Sequence, residues 1–120
     1  MKQSSLDLNL STKKTRKQEL LVQMDRVVPW AALIDVIAPY YPEGKNGRPP
    51  FALETMLRIH CMQQWFDLSD LGMEEAFFDT PVYREFAQLD AHGRLPDEST
   101  ILRFRHLLEA NDLSQQLLAT

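Results

Sequence analysis

The sequence has 120 residues, of which 44% are hydrophobic and 25% charged, and its formal net charge is −4 at pH 7. These values are typical of one soluble globular domain with a modest core, and they exclude a chain that is disordered throughout. The negative net charge argues against tight non-specific binding to DNA, because such binding depends on Lys and Arg side chains that neutralise phosphates. The positive charges are grouped, however, so one surface can be basic although the whole chain is acidic.

The single cysteine, Cys61, lies in an apolar segment, so no disulfide can form within the chain. A single cysteine is typical of a protein from a reducing compartment, and Cys61 is expected to be a small core residue. The N-terminus lacks the apolar region of a signal peptide, and no run of about 18 apolar residues is present that could span a bilayer. We therefore expect a cytoplasmic protein without membrane contact.

The N-terminal part is predicted to contain an arm, two helices and a loop. Residues 1–14 indicate a flexible basic arm, ahead of one helical domain over residues 15–120. Apolar side chains at helical spacing predict a helix over residues 15–28 and a shorter helix over residues 30–38. Prolines and glycines crowd into residues 39–50, which predicts a loop.

Residues 51–66 are apolar around almost the whole helix circumference and are predicted to form the central core helix. Arg58 projects into this apolar arc, so its head is expected to extend to water or to pair with an acid. The candidate partners are Glu74, Glu75 and Glu85. His60 and Gln63 are interpreted as polar side chains at the core edge with ordinary hydrogen-bond partners.

Two short helices follow, each with an N-terminal signal. Ser69 can cap a helix over residues 70–79. Thr80 and Pro81 open a helix over residues 81–88, with proline in the favoured first position. Together with a final helix, these elements predict an all-α fold, a small multi-helix bundle with helix-turn-helix character.

The final helix, Glu98–Ala110, has the strongest signal, because Asp97 stands where it can cap the free N–H groups. At about 100° per residue, one side of this helix is apolar and is predicted to be buried. The apolar side consists of Ile101, Phe104, Leu107 and Leu108. The opposite side consists of Ser99, Arg103, His106 and Ala110, and it is free to meet a partner.

The sequence contains no recognisable catalytic pattern. Its three histidines and one cysteine lack zinc spacing, and there is no glycine-rich phosphate loop or nucleophile elbow. Acidic pairs such as Asp67 with Asp70, or Glu74 with Glu75, are more often a solvated face than a metal site. We assign no catalytic residue and no metal ligand, and we expect no cofactor.

Long motifs carry a resemblance to a known family. One motif covers residues 48–70 and continues into residues 73–76, and another covers residues 95–109. With the upstream segments 24–30 and 36–42, they resemble the N-terminal domain of bacterial insertion-sequence transposases of the insertion-sequence-five group. The resemblance covers almost the whole chain.

The resemblance implies binding to double-stranded DNA at the ends of an insertion sequence. In that family the helical module is thought to bind the terminal inverted repeats, ahead of an RNase H-like domain with an Asp-Asp-Glu metal triad. No acid of this chain matches a triad position, so Mg²⁺ is expected only in that missing domain. The apolar C-terminal residues stop abruptly, so we expect a truncated or excised N-terminal domain.

The helix Glu98–Ala110 is the candidate recognition helix. Arg103 and His106 are predicted near base edges, and Ser99 or Arg105 nearer phosphate. The basic arm would add contacts to the DNA backbone. The complete set of candidate DNA-binding residues is Lys13, Lys14, Arg16, Lys17, Arg48, Ser99, Arg103, Arg105 and His106.

A second interpretation is a protein-interaction module that pairs transposase subunits or inhibits the full-length enzyme by mixed assembly. Its contact surface would be Trp30, Tyr40, Tyr41 and the apolar C-terminal end. A salt titration of DNA binding separates the two interpretations. The logarithm of the binding constant falls with the logarithm of the salt concentration only if the protein neutralises phosphates.

Overall fold

A computed structural model describes residues 15–42, 50–90 and 93–115, and this part of the chain is helical with no strand. The all-α class predicted from the sequence is therefore confirmed. The helices are α1 (Arg16–Val27), α2 (Trp30–Ile37), α3 (Leu53–Phe66), α4 (Asp70–Asp79), α5 (Pro81–Phe86) and α6 (Glu98–Ala110). A 3₁₀ turn, Ala38–Tyr40, extends α2. The predicted arm over residues 1–14 and most of the predicted loop lie outside the described residues.

Side-chain caps begin α1 and α4, whereas α5 begins at Thr80 and Pro81 without a side-chain cap hydrogen bond. Thr15 and Gln18 form a reciprocal capping box at α1, with Oγ1 of Thr15 accepting from the Gln18 amide at 3.1 Å. Oγ of Ser69 accepts from the Gly72 amide at 2.9 Å and starts α4. Each cap satisfies an amide that has no partner within its own helix.

Left-handed backbone follows two helix ends, of which the end of α3 at Phe66 agrees with the prediction and the end of α5 does not. Asp67 has φ 53° and ends α3, so residues 67–69 are enough to connect α3 with α4. Helix α5 ends at Phe86 rather than at residue 88, where Gln88 has φ 64°. A residue with positive φ cannot continue a right-handed helix.

The core is built around α3, which packs against α2, α4 and α6. Helix α3 begins at Leu53 rather than at residue 51, but it is the central helix that the sequence predicts. Its Met62 is fully buried, as are Met73 and Phe77 of α4 and Leu108 of α6. Removing such side chains from water is the main stabilising contribution to a bundle of this size.

Arg58 is buried, with its side chain 6% exposed, but the predicted partners of its charge were wrong. Its guanidinium donates to Glu54 Oε2 at 2.9 Å and to Asp25 Oδ1 at 2.7 Å. It also donates to the carbonyl of Phe86 at 3.2 Å. Glu54 lies one turn earlier on the same helix, and α1 brings Asp25 within reach, so the acids of α4 and α5 are not needed.

Candidate nucleic-acid interface

Helix α6 begins between two carboxylates. Asp97 Oδ1 accepts from the Thr100 amide at 2.8 Å, which confirms the predicted cap. Glu74 of α4 accepts from the Glu98 amide at 2.6 Å. The hydrogen bond from Thr100 lowers the pKa of Asp97, so this carboxyl stays ionised at neutral pH. The positive end of the helix dipole is therefore already occupied by acids of the chain itself.

The apolar side of α6 is buried as the sequence predicts. Ile101, Phe104 and Leu108 are in the core, and Leu107 is partly buried. The opposite side is exposed, and it carries Ser99, Arg103, His106 and Ala110. Within the described part of the chain, Arg103 and His106 form no hydrogen bond and no ion pair. This α6 outer face can therefore offer its cation and imidazole to a partner.

Arg105 belongs to an interaction between helices that sequence reasoning missed. Its Nη2 donates to Asp70 Oδ2 at 2.6 Å, and its Nη1 lies 3.4 Å from Glu109 Oε1. Asp70 also accepts from Gln63 Nε2 at 3.0 Å, so the network joins α3, α4 and α6. Burial alone would raise the pKa of Asp70, but the hydrogen bonds from Arg105 and Gln63 outweigh burial and lower it.

This network limits the availability of the Arg105 guanidinium for a contact with a DNA phosphate. The Arg105 side chain is 37% exposed, while Asp70 is only 13% exposed. A phosphate would have to share the guanidinium with a carboxylate that is largely removed from water. The phosphate contact at Arg105 remains a prediction. Arg103 on the same helix forms no ion pair with the described residues, although its charge helps to lower the pKa of Asp97.

His60 lies against the same helix. Its ring is 6.3 Å from the ring of Phe104, and burial, followed by the charge of Arg105, lowers its pKa. Its Nδ1 is buried without a hydrogen-bond partner among the described residues. Gln63 has the ordinary partners that were expected of it, but His60 does not.

The basic residues of the N-terminal region have different surroundings. Arg16 is exposed and forms no ion pair with the described residues. The ammonium of Lys17 lies 5.2 Å from the centre of the Phe66 ring and 4.9 Å from that of Tyr83, which holds it against α3 and α5. The remaining candidates Lys13, Lys14 and Arg48 lie outside the described residues.

The aromatic residues proposed as a protein contact surface are mostly used inside the fold. Trp30 Nε1 donates to Asp25 at 3.1 Å, and its ring is 5.9 Å from that of Phe86. The hydroxyl of Tyr41 donates to the carbonyl of Phe51. Only Tyr40, at 47% exposure, remains largely open.

Two further kinds of feature are absent from the described residues. No group of three or more His, Cys, Asp or Glu side chains in them is arranged to hold a metal ion. None of the described helices is long and apolar enough to cross a membrane.

The fold and the site define an all-α domain in which an outward face of α6 carries Arg103 and His106, neither of them in an ion pair with the described residues. The chain matches the family described as Transposase domain (DUF772) over residues 8–107, and it therefore belongs to that family. No solved structure matches the chain.

Proposed function

We propose that this chain is the DNA-binding N-terminal domain of a transposase of the insertion-sequence-five group, and that it recognises the terminal inverted repeats of its element. Membership of the transposase domain family supports this proposal, because a transposase must locate the ends of its element. The observation that carries it is the α6 outer face, where Arg103 and His106 are exposed without partners among the described residues.

The charges around α6 indicate which part of the helix meets DNA. Glu74, Asp97 and Glu98 surround its N-terminus and would repel phosphates there. The contact therefore centres on Arg103 and His106, with the guanidinium of Arg103 directed to a base edge. Ser99, beside those carboxylates, is the least favourable phosphate contact of the candidates. The basic arm supplies phosphate contacts through Lys13 and its neighbours.

A direct test compares two variants on two DNAs. Arg103→Ala is expected to weaken binding to a terminal-repeat duplex by about 1–3 kcal/mol and to leave random DNA almost unaffected, because a base contact carries sequence information. Lys13→Ala is the matched control, since loss of a phosphate contact weakens both DNAs alike and reduces the salt slope by about one. Fluorescence anisotropy over a range of salt concentrations measures both effects.

If Arg103→Ala weakened binding to the two DNAs equally, Arg103 would contact phosphate and not a base. Helix α6 would then not be the recognition helix. No binding to the terminal repeat even at low salt would overturn the DNA-binding proposal. A second candidate function, assembly with other transposase chains, is favoured by the apolar pair Leu71 and Phe78 of α4, whose exposed fractions are 47% and 67%.

A further inference from the structure

Helices α3 and α4 follow one another closely, with only residues 67–69 between them. A turn this short is typical of helix-turn-helix pairs, whose second helix enters the major groove. Helix α4 does not suit that role, because its sequence contains four acids and no Lys or Arg. Phosphates would repel it, so its exposed side is better suited to a partner other than DNA.

The α4 outer face consists of Leu71, Glu75, Phe78 and Asp79. Leu71 is 47% exposed and Phe78 is 67% exposed, although the neighbouring Phe77 is fully buried. At about 100° per residue, Leu71, Glu75 and Phe78 fall within one narrow sector of the helix. An apolar pair with carboxylates beside it is typical of a protein contact surface, whereas single exposed apolar side chains are not.

The α1 outer face has the complementary composition. It consists of Arg16, Leu20, Gln23, Arg26 and Val27. Leu20 is 37% exposed and Val27 is 70% exposed, so this face also presents apolar side chains to solvent. Its two arginines are exposed and form no ion pair with the described residues, and Glu19 is the acid beside them.

We propose that the α4 outer face of one copy of this chain docks on the α1 outer face of a second copy. Each face pairs exposed apolar side chains with charge, and the two charges are opposite in sign. Contact would remove Phe78 and Val27 from water while the carboxylates meet the arginines. Because the two faces differ, a single contact joins the copies head to tail, whereas two such contacts made at once give a closed, isologous dimer. This inference does not depend on DNA binding.

Sedimentation velocity without DNA tests the proposal. The wild-type chain is expected to associate as its concentration rises towards about 1 mM, and rising salt is expected to weaken association. Phe78→Ser is expected to weaken association at least about tenfold. Glu85→Lys, a charge reversal at an exposed acid of α5, is the matched control and is expected to change association little.

A charge exchange identifies the two faces as partners. The double variant Glu75→Lys/Asp79→Lys has two basic faces, and the double variant Arg16→Glu/Arg26→Glu has two acidic faces. Each alone is expected to be monomeric, and an equimolar mixture is expected to form a heterodimer. Circular dichroism first establishes that each variant is folded.

Three results would overturn the inference. These are a wild-type chain that stays monomeric at every concentration, a mixture that forms no heterodimer, or association that Phe78→Ser leaves intact while Tyr40→Ser abolishes it. Arg103→Ala is expected to leave association unchanged, so a failure of DNA recognition and a failure of self-association are separable.

Discussion

The guanidinium carbon of Arg58 lies 4.3 Å from the centre of the Trp30 ring and 4.9 Å from that of Phe86. Trp30 in turn donates to Asp25, which accepts from Arg58, so one cation holds α1, α2 and α3 together. Removing one member of such a buried group leaves the others without partners.

Arg58→Lys tests this contact. Lysine keeps the charge but lacks the planar group that stacks on the rings and donates in several directions, so we expect the free energy of unfolding to fall by about 2 kcal/mol. Urea titration measures the change. Arg103→Lys, at an exposed position, is expected to stay within about 0.5 kcal/mol of wild type, and equal effects would show that Arg58 is not a structural contact.

Phe77 and Phe78 give a matched pair of substitutions on α4. Phe77 is 0% exposed and Phe78 is 67% exposed. Phe77→Ala is expected to lower the free energy of unfolding by about 3–5 kcal/mol because it leaves a cavity in the core. Phe78→Ala is expected to change it by less than about 0.5 kcal/mol in dilute solution, where copies do not associate. A similar loss for both would contradict the orientation of α4.

Asp70 is expected to make the free energy of unfolding depend on pH in the acidic range. Because its pKa is lowered in the fold from an ordinary value of about 3.8, the unfolded chain binds the proton more readily. The stability that it contributes is complete above that ordinary pKa and is lost as the pH falls through the folded value. Asp70→Asn is expected to give a shallower decline of the unfolding free energy below about pH 5. An unchanged decline would contradict the Arg105 and Gln63 contacts.

The thiol of Cys61 is expected to react slowly in the folded protein. Burial raises its pKa to about 11, with the charge of Arg58 opposing this shift. At pH 8 only about one thiol in a thousand is then ionised, and the thiolate is the reactive form. A disulfide reagent at pH 8 is expected to react at least about tenfold faster with the chain unfolded in urea. Equal rates would show that Cys61 is open to solvent.

The amino-acid sequence by itself determined the helices and the side of α6 that faces solvent. The cap at Asp97 and the spacing of Ile101, Phe104 and Leu108 involve residues within a few positions of one another. Such signals are local, because a helix repeats every 3.6 residues and its end amides are satisfied by the nearest side chains. For this reason Ser99, Arg103 and His106 are exposed as predicted.

The tertiary structure alone decided which charges meet between helices. Arg58 pairs with Asp25 at a separation of 33 positions, and Arg105 pairs with Asp70 at a separation of 35 positions. Sequence patterns name the acids of a chain but not the helix that packs beside a given arginine. That choice follows from how the apolar faces of α1, α3, α4 and α6 fit together, and the partial burial of each selected ion pair then strengthens the attraction between its charges.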